Sequence, residues 1–170
     1  MRPTGEANAI HFLSAEELVD LFAVLQEAAK RDDNIPLKAG RDYLLPVEEL
    51  EELCEAAAAR DIPDAAATYL RAIFLMDLFP DGNFRMGLLA AELFLNENGL
   101  RLEYAAAHAQ ELRTRLVGLR ERSYKKGANR NVTVLTEPYN ELHEVARQFI
   151  DDHTKSAEGA TRFPWSRSGR

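Results

Sequence analysis

At 170 residues with 46% hydrophobic content, the chain is long enough to bury one core and short for two, so a single domain is expected. A formal charge of −7 and a pI near 5.2 repel phosphate backbones, which removes non-specific nucleic-acid binding from the expected functions and requires any anionic ligand to be held locally. The single cysteine, Cys54, excludes an intramolecular disulfide and a cysteine-based zinc site, and its place on an apolar helix face reads as core.

Met1 to Ala9 carries no charged segment followed by an apolar run, and no stretch approaches the length of a bilayer span. The expectation is a cytoplasmic protein without membrane contact. Residues 1–9 are expected to be a flexible lead, 10–153 the folded domain and 154–170 a flexible tail.

Ser14-Ala15-Glu16-Glu17 is a capping-box pattern, and Leu18, Leu21, Phe22 and Leu25 follow on one helical face, so a first helix is expected to about Lys30. Arg31 to Leu45 mixes Asp32, Asp33, Asn34, Pro36 and Gly40 with Leu37, Tyr43 and Leu44, which suits a loop or flap. Pro46 then opens a second helix with Val47, Leu50, Leu53 and Cys54 inward, ending near Asp61.

Asp64 after Pro63 is the expected cap of a third helix whose Ala66, Tyr69, Leu70, Ile73, Phe74 and Met76 make a wide apolar surface, suited to the centre of the fold. Phe79-Pro80-Asp81-Gly82-Asn83 stops it. Met86, Leu89, Ala90, Leu93 and Phe94 resume the helical period, and Asn98-Gly99 closes that helix. Leu100, Leu102 and Tyr104 alternate with charged residues as a short strand does, with Asn131 to Leu135 the candidate partner. Leu112, Leu116 and Leu119 mark a further helix, and Pro138 starts a last one carrying Leu142, Val145, Ala146, Phe149 and Ile150. The fold class is therefore mostly α, a helical bundle with at most a small β-ribbon.

The loop between the third and fourth helices is the candidate for chemistry. At a helix start the backbone N–H groups of Gly82, Asn83 and Phe84 are without intrahelical acceptors and attract anions. Gly82 allows close approach, Arg85 can grip phosphate oxygens bidentately, and Asp81 can hold a magnesium ion that bridges them. Those roles suit a nucleotide di- or triphosphate. Asp-Gly-Asn is equally an ordinary turn, with Asn83 capping the helix that follows.

The string DLFPDGNFRMG over 77–87 resembles the Fic/Doc family loop, His-x-Phe-x-Asp-Gly/Ala-Asn-Gly/Lys-Arg, through Phe79, Asp81, Gly82, Asn83 and Arg85. Thr68-Tyr69-Leu70, the Leu93-Phe94-Leu95 to Asn98-Gly99 helix end and Leu13-Ser14-Ala15-Glu16-Glu17-Leu18 resemble its death-on-curing toxin branch, so the likeness covers roughly Ile10 to Leu102. It implies a compact bundle around the two helices that flank the loop, from a toxin–antitoxin or related locus with an antitoxin as candidate partner. Such members transfer a nucleotidyl group (AMPylation when the donor is ATP) or a phosphoryl group from a nucleoside triphosphate, with Mg2+, to a hydroxyl of a target protein. By position the resemblance makes Asp81 the metal ligand and Gly82, Asn83, Phe84 and Arg85 the phosphate contacts.

Asp77 stands where the family has its catalytic histidine, which makes Asp77 the catalytic candidate. As a general base, an ordinary aspartate is weaker than an ordinary histidine by about 2.5 pH units. Phe84 replaces a glycine or lysine, and Leu88 stands where nucleotidyl-transferring members carry a second arginine. Of His11, His108, His143 and His153, only His108 has a route to the loop, and a surface position is the expected reading for it. Two readings follow: a toxin-like transferase with a weak base, or a Fic-fold pseudoenzyme that binds a partner protein. An unrelated helical domain with a plain turn is the third.

Thr154-Lys155-Ser156-Ala157-Glu158-Gly159 fits the Ser/Thr-x-x-x-Glu-Gly pattern by which some family members block their own phosphate site, so Glu158 is the candidate inhibitory residue. Arg113, Arg115, Arg120, Arg122, Lys125, Lys126 and Arg130 form a basic stretch opposed only by Glu121, which reads equally as a partner-binding patch and as a solvated helix face.

Overall fold

The computed structural model describes residues 9–32, 45–123 and 140–156. Among them the chain forms six helices and a two-stranded ribbon, the mostly α architecture expected. None of these helices is long and apolar enough to cross a membrane.

Helix α1 (Ala15–Arg31) starts on the anticipated capping box: Ser14 Oγ accepts from the Glu17 N–H at 3.2 Å, and Glu17 Oε2 accepts from the Ser14 N–H at 2.8 Å. It buries Leu18, Leu21, Phe22 and Leu25. Helix α2 (Val47–Ala58) follows Pro46 and buries Leu50, Leu53 and Ala57. It ends before Asp61 because Asp61 caps the next helix, its carboxylate accepting from the Asp64 N–H at 3.0 Å. The expected cap, Asp64, lies one turn inside helix α3 (Ile62–Met76). Pro63 fits that first turn, where no intrahelical N–H bond is lost.

Helix α3 is the centre of the molecule. Every residue from Ala65 to Met76 is buried, including Thr68 and Arg71, and the helix packs against α2, α4 (Asn83–Glu97) and the last helix. Helix α4 closes at Asn98 and the left-handed Gly99 (φ 76°), as anticipated. The chain continues into β1 (Leu100–Leu102), α5 (Ala106–Ser123), α6 (Glu141–His153) and β2 (Thr154–Ser156). Cys54 is half-buried; burial, aided by the nearby Glu17 and Glu51 carboxylates, pushes its thiol up to about 12, so it stays protonated as a core group.

The ribbon differs from expectation. β1 pairs antiparallel with β2, Leu102 opposite Thr154 and Leu100 opposite Ser156, so the first three residues assigned to the flexible tail belong to the folded unit. Three-residue strands are too short for a periodic pattern, and this pairing is fixed from α6: Thr154 Oγ donates to the Ile150 carbonyl, and the Glu103 N–H bonds the His153 carbonyl at 2.9 Å. The strand expected at 131–135, the flap expected at 31–45 except for its ends, and Glu158 lie outside the described residues.

α3 and α4 approach closely where Gly87 meets the backbone of Leu70. A Cβ on Gly87 would come 2.5 Å from the Leu70 carbonyl oxygen, so the crossing tolerates glycine alone. Gly87→Ala is expected to destabilise the protein by about 1–3 kcal/mol, measured by urea denaturation. A change below about 0.5 kcal/mol, the usual range of a surface substitution, would show that the helices are free to separate.

Candidate functional site

The loop is built by two left-handed residues and one side-chain staple. α3 ends at Asp77, whose φ of 50° is the one positive value at a non-glycine among the described residues. Leu78 and Phe79 then turn inward, Phe79 packing on Phe22 with ring centroids 4.7 Å apart. Asn83 closes the turn: its Oδ1 accepts from the Phe79 N–H at 2.9 Å and its Nδ2 donates to the Phe79 carbonyl at 2.8 Å. Its amide side chain is thereby committed to the loop and does not cap the helix.

Gly82 (φ 71°, ψ 25°) is the residue before α4, and its N–H donates to Asp81 Oδ1 at 2.8 Å. No side chain caps α4. The first intrahelical bond runs from the Met86 N–H to the Gly82 carbonyl, so the N–H groups of Asn83, Phe84 and Arg85 precede it at the positive end of the helix. The Phe84 ring meets Phe74 edge-on at 5.8 Å, and both residues line the same cleft.

These residues line a cleft of about 850 Å³. One wall is the loop with Asp77, Asp81, Gly82, Asn83, Phe84, Arg85 and, one turn along α4, Leu88; the other is Tyr104 with Gln110, Arg113 and Arg120 of α5. Every site residue expected from the sequence, Glu158 apart, is thus gathered in one place. Arg85 Nη1 is buried there without a protein hydrogen-bond partner among the described residues. A buried, unsatisfied charged donor is costly, and a turn of the Arg85 guanidinium toward an anion in the cleft would satisfy it.

Arg113, Arg120 and Tyr104 were not picked out as site residues by the sequence. The basic stretch was visible, and the seven-residue spacing of Arg113 and Arg120 places them on one side of a helix; that this side faces the loop is a tertiary fact. Arg120 lies over the Phe74 ring at 4.7 Å, and its Nη1 is 3.9 Å from Asp77 Oδ1. Tyr104 donates its hydroxyl proton to the Glu92 carboxylate, whose pKa burial raises despite that bond.

No histidine lines the cleft. His11 pairs with Glu17 at 3.0 Å. His108 is exposed, the surface placement expected of it, and faces His153 at 5.0 Å in a separate, smaller cleft between α5 and α6. His143 is buried: its Nδ1 accepts from Arg71 Nε at 2.8 Å and its Nε2 bonds Asp64 at 3.0 Å, where Arg147 also binds at 2.6 Å. These partners require the neutral tautomer with the proton on Nε2.

Asp77 and Asp81 are the two carboxylates of the cleft lining. Among the described residues no three His, Cys, Asp or Glu side chains cluster as a metal site. Mg2+ takes one or two carboxylates and completes its shell with phosphates and water, which Asp81, with Asp77 in the same cleft, can accommodate. Comparison with family models, curated proteins and solved structures returns no match for this chain.

The buried His143 predicts a pH response. Burial, with the Arg71 and Arg60 charges, holds its pKa below the ordinary value despite the opposing bond to Asp64. Between that lowered value and about 6.5 the unfolded chain binds the extra proton, so stability falls as the pH drops below about 6.5. Unfolding midpoints measured across this range should fall with pH in the native protein and fall less steeply in His143→Gln. Equal slopes would remove His143 as the cause.

Proposed function

We propose that this chain is a Fic/Doc-type, toxin-like protein that binds a nucleoside triphosphate, as its magnesium complex, in the cleft at 81–85. The observation that carries the reading is the buried Nη1 of Arg85, without a hydrogen-bond partner among the described residues, beside a start of α4 that no described side chain caps. The N–H groups of Asn83, Phe84 and Arg85 would hold phosphate oxygens, and Gly82 admits them without a side chain in the way. Arg85 would grip a phosphate as a planar fork. Asp81 would hold Mg2+, which supplies neutralisation of the charge on the phosphates.

In this reading the protein target presents a hydroxyl to the bound nucleotide, and Asp77 at the cleft edge is the residue placed to take its proton. Asp77 is exposed, with Arg120 as its charged neighbour. With no histidine lining the cleft, a second reading has its own support: a pseudoenzyme that keeps the phosphate site and uses the fold to bind a partner protein. The two share the binding step and differ in the transfer step.

Isothermal titration with Mg·ATP tests the shared step. Binding to the native protein, weakened on the order of tenfold or more in Arg85→Ala, is the expected result. Unchanged affinity in that variant, or no binding by the native protein, contradicts the proposal. Asp77→His separates the readings: transfer from labelled ATP onto protein that appears with the histidine and is absent in the native chain assigns the pseudoenzyme.

A further inference from the structure

We infer that α5 supplies the second half of a polyphosphate clamp, with Arg113 and Arg120 holding phosphates that Arg85 and the α4 amides do not. This rests on the reading of the cleft as a nucleotide site and narrows the ligand to one with a chain of phosphates, a nucleoside triphosphate in preference to a monophosphate.

The loop side of the cleft is short of cations. Where the resembling family has glycine or lysine this chain has Phe84, whose ring is turned onto Phe74, and the family's second arginine is replaced by Leu88, which lines the cleft as an apolar wall. Arg85 is the one cation α4 contributes to the lining. One guanidinium and one helix start suit a single phosphate group.

The opposite wall makes up the difference. Arg113 and Arg120 both line the cleft, and seven residues of helix separate them by about 10 Å along one side of α5. That span is longer than one phosphate and matches a ligand whose negative charge is spread along a chain. The Arg120 guanidinium lies over the Phe74 ring at 4.7 Å, a cation–π contact that leaves its N–H groups for bidentate contact with a phosphate. Its ion pair with Asp77 is long, at 3.9 Å, and is readily exchanged for a more highly charged phosphate. In a chain of net charge −7, three arginines against two aspartates make this cleft locally cationic, and Mg2+ would add to that balance.

Arg115 provides the control. It is exposed on the same helix and borders the smaller cleft with His108 and His153, so it carries the same charge without facing the loop. The experiment is isothermal titration of Mg·ATP and AMP into the native protein, Arg113→Ala, Arg120→Ala and Arg115→Ala, with unfolding midpoints confirming that each variant is folded. The clamp predicts that Arg113→Ala and Arg120→Ala each weaken ATP on the order of tenfold and AMP far less, while Arg115→Ala changes neither. Arg120→Lys, which keeps the charge and loses the fork, should fall between. ATP affinity unchanged in both cleft variants, or lost equally in all three alanine variants, overturns the clamp and leaves the nucleotide site standing. Absence of nucleotide binding by the native protein overturns both.

Discussion

The close crossing of α3 and α4 at Gly87 is the constraint on which the site depends. Because the Leu70 carbonyl occupies the space a Cβ would need, the two central helices meet backbone to side-chain-free backbone, and the loop that joins them is pulled into a tight turn. A tight turn between helices demands left-handed residues, taken by Asp77 and Gly82. It also needs its polar backbone satisfied, which Asn83 does for both groups of Phe79. The helix start is then presented without a cap to a cleft. Packing of apolar helices, with no catalytic residue involved, thus creates the anion-attracting end of α4.

Electrostatics at the cleft runs against that of the chain as a whole. Acidic residues such as Glu16, Asp20 and Glu48 are exposed on α1 and α2, whereas the cleft gathers Arg85, Arg113 and Arg120 around Asp77 and Asp81. An anionic ligand is therefore held by local geometry and not by the global field. The set of buried Arg71 and His143 with partly buried Asp64 and Arg147 is a separate matter: it ties α3 to α6 and lies away from the loop lining.

What was legible in the sequence is what is local. The capping box at Ser14 and Glu17, the Asn98-Gly99 helix end and most of the apolar faces of α1 to α4 are written in neighbouring residues, and the structure carries them as read; the exception is Val47, read as inward but 50% exposed in the first turn of α2. The loop's polar residues were legible as a group for the same reason, though not that the Asn83 side chain is spent on Phe79. Competition between nearby caps misplaced the start of α3, since Asp61 and Asp64 both satisfy the local rule and Pro63 decides between them. Long-range pairings were not legible. β1 meets β2 across fifty residues, Arg71 meets His143 across a buried interface where arginine is seldom found, and α5 turns two of its arginines toward the loop. Each depends on where whole helices dock.

The central claim is that the start of α4 holds phosphate oxygens, and the most direct measurement is a titration of Mg·ATP followed through backbone amide resonances. The account predicts saturable shifts concentrated at the amides of Asn83, Phe84 and Arg85, with those of Asn98 and Gly99 at the far end of the same helix unmoved. Loop amides that stay in place while nucleotide is in excess, or shifts centred elsewhere in the molecule, would contradict it.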